Sequence, residues 1–236
     1  MDVHLLLTDA SRLGWTLALL VRLTARLQKA LGLWIYRVNI RQLDGSAPQH
    51  DRLPEGITTV RALTEADLLE GMKDDDLHLD HAFIQSALAR GDRSWGAFEG
   101  DKLVGYTWRS PSIAPFRDDL WIRIGHPLHY VYKSFTRTTH RGKGIHIAIT
   151  RVADRHMLEM GRPSEVGFID ISNIQSLRAA RSLGRRKVGW AGYLKLFGRC
   201  FTFRTPGVAA TRSEFFLPGA TQANVLDPTV EAQPAV

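Results

Sequence analysis

The sequence is almost without cysteine: Cys200 is the single cysteine among 236 residues. An internal disulfide is therefore excluded, and so is a zinc site built from several cysteines. No metal site is predicted from the remaining residues. Because disulfides are rare in reducing compartments, the composition favours a cytoplasmic protein.

Long uncharged apolar runs are also missing. Residues 11–33 are rich in leucine, but four basic residues interrupt them: Arg12, Arg22, Arg26 and Lys29. The longest apolar run is shorter than the roughly 20 residues that span a bilayer. Helical spacing puts the leucines on one face and the basic residues on another, which predicts an amphipathic helix. Two interpretations stay open: packing on its own domain or on a second copy in a homodimer, and peripheral contact with the inner face of a membrane.

Acidic residues are fewer than basic ones. The chain has 31 Lys and Arg against 24 Asp and Glu, a formal net charge of +7. This balance favours an anionic partner, such as a phosphorylated cofactor or an acidic membrane surface. The basic residues are scattered and no aromatic-basic module is found, so nucleic acid is not the predicted partner.

The order of predicted elements indicates a mixed α/β (α+β) fold. A strand over residues 33–43 is followed by a polar linker, and then by a strand, two helices, three strands, a helix, a strand, a helix and two strands. We place an N-terminal helix, strand and linker at 1–52, the main domain at 53–205, and a loosely ordered tail at 206–236. Residues 110–127 contain three prolines and are predicted as an irregular loop.

A basic, glycine-containing turn follows the predicted strand 129–136. It has the sequence Arg141-Gly-Lys-Gly-Ile-His146 and precedes a predicted helix over 145–160. The first turn of a helix has backbone N–H groups without intrahelical acceptors, and the helix dipole adds positive charge there. Glycine lets an anion approach the backbone closely. The turn therefore predicts a pyrophosphate site, although it matches neither GxGxxG nor the P-loop.

A second motif follows the next predicted strand: Asn173-Ile-Gln-Ser176 opens a helix that ends at Leu183-Gly184. With both motifs in place, the chain resembles the GCN5-related N-acetyltransferase (GNAT) superfamily over roughly residues 56–204. That superfamily has Arg/Gln-x-x-Gly-x-Gly/Ala at its pyrophosphate loop, then Asn-x-x-Ala/Ser, then Leu-Gly-Phe.

The resemblance implies a mixed, largely antiparallel central sheet of about six to seven strands flanked by helices. It implies an acyl-CoA, such as acetyl-CoA, as co-substrate and a small-molecule primary amine as acceptor. Backbone groups of two strand residues would pair with the pantetheine arm, the basic turn would hold the pyrophosphate, and two residues of the second motif would contact the pantetheine or organise the loop nearby. In that order these cofactor-binding residues are Phe135 and Thr136; Arg141, Gly142, Lys143, Gly144, Ile145 and His146; and Asn173 and Ser176.

Three positions depart from the superfamily pattern. His146 stands where the superfamily has Gly or Ala, and its ring either packs outward or contacts the phosphates. Ala180 stands where many members have a tyrosine that protonates the leaving thiolate, so another acid, direct release of the thiolate, or no catalysis is implied. Arg185 replaces the phenylalanine of the closing motif.

Two residues are the candidate catalytic groups. Asp170 follows the apolar residues Phe168-Ile169 at the end of a strand, where a carboxylate is uncommon unless it is paired or functional. It is the first candidate base, and an ion pair with Arg178 or another arginine is the alternative. Tyr132 is the candidate acid or hydrogen-bond donor, and a core aromatic is the alternative.

The sequence thus predicts an N-acyltransferase in which an amine attacks acyl-CoA directly. Two alternatives stay open. One is transfer of a longer acyl chain to a membrane- or lipid-linked acceptor, which the basic helix over 11–33 suggests. The other is an acyl-CoA-binding module without catalysis, which Ala180 suggests.

Overall fold

A computed structural model describes residues 23, 25–26, 28–43, 53–117, 120–182 and 184–218. Most of the helix predicted over 11–33, the greater part of the predicted linker, residue Leu183 of the second motif and the last part of the tail lie outside the described residues. Among the residues that are described, no helix is long and apolar enough to cross a membrane.

The chain forms eleven described strands and five described α-helices. The strands are β1 Leu33–Gln42, β2 Thr59–Ala62, β3 Arg93–Glu99, β4 Lys102–Ser110, β5 Ile113–Arg117, β6 Leu120–Arg123, β7 Leu128–Thr136, β8 Ser164–Asp170, β9 Arg186–Leu196, β10 Arg199–Arg204 and β11 Glu214–Phe216. The helices are α1 Glu65–Met72, α2 His81–Ala89, α3 Ile145–Glu159, α4 Ile174–Ser182 and α5 Pro206–Ala209. Short 3₁₀ turns cover Asp75–Leu77 and Thr138–His140.

Eight of these strands form the main sheet, in the order β10-β9-β1-β8-β7-β4-β3-β2. Strand β2 pairs with β3, β3 with β4 and β4 with β7, all antiparallel, whereas β7 and β8 are parallel. The predicted fold class, a mixed and largely antiparallel sheet with helices, is confirmed. The predicted count of six to seven strands is too low, because β1 is hydrogen-bonded into the same sheet.

The described residues fall into two compact units. Unit 1 contains Phe168–Ala210 together with the described residues up to Asn39. Unit 2 contains Ile40–Gly167 together with the described residues from Thr211 onward.

Helix α3 carries the main apolar stripe of unit 2. Ile145, Ile149, Ala153 and Met157 recur every four residues, and all four are buried. They pack in one cluster with residues of the sheet strands, among them Trp95, Ala97 and Val104. Because residues four apart lie on one helix face, this spacing fixes which side of α3 meets the sheet. It also fixes the direction of the helix start at residue 145.

The start of α1 is fixed by two hydrogen bonds between Thr64 and Asp67. The Thr64 hydroxyl accepts from the Asp67 backbone N–H at 3.2 Å, and an Asp67 carboxylate oxygen accepts from the Thr64 N–H at 2.8 Å. This reciprocal pair is a capping box, and it satisfies two N–H groups that the helix start leaves open.

Residues 110–127, predicted as an irregular loop, contain two strands of a second, three-stranded sheet. Strands β5 and β6 form an antiparallel pair, and β11 adds to β6. The loop prediction was wrong because it relied on the prolines: Pro115 lies in β5, which is an edge strand, where a missing N–H is tolerated. Helix α5 and strand β11 lie within the segment predicted as a loose tail. Strand β11 pairs with β6, which is distant in sequence: Arg123 and Glu214 are 91 residues apart.

Candidate functional site

The basic turn after β7 has the backbone that an anion site requires. Gly142 and Gly144 both have left-handed φ angles, of 79° and 77°. A Cβ placed on either glycine would meet no atom within 4 Å. Neither glycine is therefore needed to relieve crowding inside the protein. They give the turn a left-handed conformation and leave its outer side open for the close approach of a ligand.

The first N–H groups of α3 come directly after this turn. Gly144 is the N-cap residue, and no side chain of the described residues caps the helix there. Arg141, Lys143 and His146 are exposed around the turn. A 15-residue helix with an uncapped start and adjacent cationic side chains is suited to bind a phosphate group.

Arg137, a residue that the sequence analysis did not select, anchors the beginning of the turn. Its side chain is buried, its Nε donates to the Leu103 carbonyl at 3.0 Å, and its guanidinium forms an ion pair with Asp74. Its backbone N–H donates to the Val104 carbonyl at 2.9 Å. The turn is thus fixed to β4 at one end and to α3 at the other. Nothing in the local sequence pattern distinguishes this arginine from the exposed ones, because its partners are distant in sequence.

The end of β7 runs directly into this turn. On one side Phe135 pairs with Tyr106 and Thr136 with Gly105. On the other side, the β7–β8 pairing covers only three residues of β7, Leu128 to Tyr130. The backbone of β7 beyond Tyr130 thus has no strand partner on that side among the described pairings.

A bulge interrupts β7 just before Phe135. The register between β4 and β7 shifts so that Lys133 and Ser134 both stand opposite Thr107. Lys133 has a left-handed φ of 44°, which is costly for a residue with a side chain. Its ammonium lies 3.7 Å from the centroid of the Phe83 ring, and burial lowers the pKa of this lysine. No local sequence pattern predicts the bulge.

Tyr132 is buried and its hydroxyl is occupied. The hydroxyl donates to an Asp92 carboxylate oxygen at 2.6 Å, and the same oxygen accepts from Arg90 at 2.9 Å. Burial, together with the charge of Asp92, raises the pKa of Tyr132 well above its usual value. Burial also raises the pKa of Asp92. Tyr132 therefore belongs to a buried polar cluster with Asp92 and Arg90.

The second motif lies in unit 1, where its residues begin α4. The Asn173 side-chain oxygen accepts from the Ser176 N–H at 2.9 Å, which caps the helix. The Asp170 Oδ1 accepts from the N–H and hydroxyl of Ser172, at 2.8 and 2.7 Å, and no described basic residue forms an ion pair with this carboxylate. The alternative of an Arg178 pair is therefore wrong. Ala180 is buried. An alanine side chain has no ionisable group, so position 180 offers no acid.

Unit 2 also contains a buried cluster with the side chains of a metal site. One nitrogen of His129 and one oxygen each of Asp154 and Glu165 lie within 4.8 Å of one another. Arg41, however, donates to Asp154 at 2.8 Å and to Glu165 at 2.7 Å, and Arg109 lies 3.8 Å from Asp154. Two guanidiniums already balance the two carboxylates, so a divalent cation would add uncompensated charge in a buried place. The donor set fits a neutral ion cluster better than a metal.

The acid stability of the protein depends on His129 in this cluster. Burial, assisted by the charge of Arg109, lowers the pKa of His129 to about 3, far below the value of about 6.5 in an unfolded chain. Between these values only the unfolded chain takes up the proton, so the folded state loses stability as the pH falls through this range. We expect the free energy of unfolding of the wild type, relative to His129→Asn, to decrease by up to about 1.4 kcal/mol per pH unit there. Urea titrations at a series of pH values measure this, and parallel pH curves for the two proteins would contradict it.

Comparisons with known proteins give structural neighbours only. No family profile and no curated sequence matches the chain. Among solved structures, it is similar to a GCN5-related N-acetyltransferase from Sphaerobacter thermophilus, with 16% identity, a TM-score of 0.48, and coverage of 83% of this chain and 57% of that one. A putative GNAT-family acetyltransferase from Novosphingobium aromaticivorans has 16% identity, a TM-score of 0.42, and coverage of 77% and 64%. A GCN5-related N-acetyltransferase from Kribbella flavida has 14% identity, a TM-score of 0.43, and coverage of 85% and 65%.

The chain thus spans less than two thirds of the length of each of these three structures. Their names agree with the superfamily that the sequence motifs resemble. At these identities and TM-scores the similarity identifies neither the acceptor nor the reaction of this chain.

Proposed function

We propose that this protein is an acyl-CoA-dependent N-acyltransferase that transfers an acyl group to a small primary amine. The observation that carries the proposal is the turn at residues 141–146, which is open, cationic and joined to an uncapped helix start. A CoA pyrophosphate has the charge and size for such a turn. Phe135 and Thr136, at the end of β7, supply backbone groups for the pantetheine arm that leads away from it.

The chemistry needs few protein groups. The acceptor amine must lose a proton to attack the thioester, and negative charge that forms on the thioester must be stabilised. Much of the remaining acceleration comes from holding the two substrates together. Residues that bind and orient the cofactor therefore account for a large part of the proposed activity.

Asp170 is the proposed base. Its Oδ1 is used by Ser172, whereas its Oδ2 has no hydrogen-bond partner among the described residues and can accept a proton. We expect Asp170→Asn to lower kcat/KM by about 10²–10⁴-fold while CoA affinity stays unchanged. The asparagine keeps an oxygen for Ser172, so the turn before α4 is preserved. Steady-state kinetics and CoA titration measure the two effects, and wild-type kcat/KM in this variant would remove Asp170 from the mechanism.

The direct test of the function has two steps. Isothermal titration calorimetry with CoA tests binding. Release of free thiol from acetyl-CoA, measured with a panel of primary amines, then tests transfer. Because Cys200 is a thiol of intermediate exposure that forms no disulfide, a blank with protein alone is required. Absence of CoA binding would refute the proposal as a whole.

Two observations favour a second candidate, an acyl-CoA-binding module without catalysis. Ala180 is buried where a catalytic tyrosine is expected by resemblance, and the Tyr132 hydroxyl is already hydrogen-bonded to Asp92. The same two-step test separates the candidates. CoA binding without thiol release, across the whole amine panel, would favour the binding module.

A further inference from the structure

A relay of three hydrogen-bonded side chains, Arg109, Thr107 and Ser134, leads from the buried ion cluster of unit 2 to the bulge in β7. Arg109, which is buried beside Asp154, donates through Nη1 to the Thr107 hydroxyl oxygen at 2.9 Å. The Thr107 and Ser134 hydroxyl oxygens are 2.7 Å apart. Arg109 and Thr107 are fully buried, whereas Ser134 is exposed. The relay therefore begins at the buried Arg109 guanidinium and ends at the protein surface.

The direction of the hydrogen bonds follows from the number of protons. A threonine hydroxyl has one proton to donate, and a guanidinium can only donate. Among the described residues Thr107 contacts only Arg109 and Ser134 through its hydroxyl, so the Thr107 proton has Ser134 as its acceptor. Because buried donors are rarely left without an acceptor, this arrangement is favoured. The proton of Ser134 is then directed away from Thr107, towards the exposed side.

This arrangement makes Ser134 a better hydrogen-bond donor than an isolated serine. Each donor in this series polarises the next one, and the first donor is a guanidinium whose charge is partly offset by Asp154, 3.8 Å away. The low dielectric around the buried residues preserves the effect. Ser134 is thus a surface hydroxyl whose proton is made more positive by a buried arginine.

Ser134 also occupies an unusual place in the strand. It follows Lys133, whose left-handed backbone at φ 44° is costly, and it stands in the bulge two residues before Thr136. Bulges redirect single side chains, and such strain persists where the surroundings hold it for a function. Beyond Tyr130 the adjacent side of β7 has no strand partner among the described pairings.

We infer that Ser134 is a catalytic hydrogen-bond donor to the CoA sulfur, and that Thr107 and Arg109 are its positioning residues. The inference rests on the proposed function. In the reaction the amine nitrogen forms a bond to the acyl carbon and loses one proton to the proposed base, Asp170, which passes it to solvent. The carbon–sulfur bond breaks, its electron pair stays on sulfur, and the thiolate later takes a proton from water.

Hydrogen bonding, and not proton transfer, is the role that the chemistry allows. A serine hydroxyl ionises far above the pKa of a thiol, which is about 8.5 for free cysteine. A thiolate therefore does not remove the proton of Ser134, but it is stabilised by a hydrogen bond from it. Such a donor stabilises the leaving thiolate in a protein whose residue 180 is an alanine and cannot protonate it.

The test measures thiolate binding directly, so that it does not require a known acceptor. CoA and desulfo-CoA are titrated into the protein by calorimetry at a series of pH values. The two ligands share their phosphates, so the ratio of CoA affinity to desulfo-CoA affinity reports only on the thiol. A donor to the thiolate lowers the pKa of the bound thiol, so in the wild type this ratio rises with pH.

Four variants give the inference its control set. In Ser134→Ala the ratio of CoA affinity to desulfo-CoA affinity should increase with pH at least about tenfold less than in the wild type. The affinity for desulfo-CoA should stay unchanged. Thr107→Val, which removes the relay and keeps the shape, should lose a large part of the rise, and Thr107→Ser should restore it. Ser112→Ala changes another exposed serine of the same unit and should match the wild type.

Each outcome has one meaning. If Ser134→Ala keeps the wild-type rise, Ser134 does not contact the sulfur and the inference is wrong, while CoA binding stands. If CoA and desulfo-CoA bind the wild type equally at every pH, the inference is also wrong. If neither ligand binds, the proposed function itself fails. A Thr107→Val protein that behaves like the wild type would exclude the relay alone.

Discussion

Gly144→Val should weaken CoA binding by about a hundredfold or more. The valine would occupy the open side of the turn, where the phosphates are proposed to lie, and it would disfavour the left-handed backbone at φ 77°. Hydrogen bonds from N–H groups to a charged phosphate are each worth roughly 1.5–3 kcal/mol, so the displacement of even one or two accounts for this effect. Calorimetric titration with CoA measures the change.

Gly161→Val is the matched control for this variant. Gly161 lies just past the other end of α3, with a left-handed φ of 70°, and a Cβ placed there also meets no atom within 4 Å. The two substitutions impose the same backbone strain on the same helix, but only one of them lies at its N-terminus. We expect similar losses of stability and unchanged CoA affinity in Gly161→Val. Equal affinities in both variants would show that the turn does not bind the pyrophosphate.

Asp92→Ala should destabilise the fold by about 3–5 kcal/mol. Asp92 and Arg90 form an ion pair whose side chains are 0% and 2% exposed. Removal of the carboxylate leaves a buried guanidinium without its counter-charge, and it leaves the Tyr132 hydroxyl without its acceptor. Urea unfolding of the two proteins at neutral pH gives the difference in free energy.

Two further variants separate the buried charge from general damage. In the double variant Asp92→Ala with Arg90→Met, no unpaired charge remains, so much of the lost stability should return. Glu214→Ala removes a carboxylate from an ion pair with Arg123 whose side chains are 29% and 49% exposed. We expect that loss to be about 0–1 kcal/mol. A double variant no more stable than Asp92→Ala would mean that packing, and not charge, is the dominant contribution.

Local chemistry made part of this structure predictable from the sequence. The capping box at Thr64, the apolar stripe of α3 and the glycine turn at residues 141–146 each depend on residues within a few positions of one another. Such patterns express backbone geometry directly, so the sequence contains their full description.

Contacts between distant segments were not predictable in the same way. The sequence indicates Tyr132 as a candidate acid or hydrogen-bond donor, but its partner Asp92 lies 40 positions earlier in the chain. The relay from Arg109 to Ser134 depends on a bulge that shifts one strand by a single residue. No local pattern specifies either arrangement, because each arises from strand pairing across long loops.

The small sheet β5-β6-β11 has a consequence for how the chain folds. Its third strand follows the second by about ninety positions, as the separation of 91 between Arg123 and Glu214 shows. During synthesis the β6 edge is therefore complete, and open to pairing with other chains, long before β11 leaves the ribosome. Closing so long a loop costs entropy before the contact forms, so we expect this sheet to be among the last parts of unit 2 to assemble.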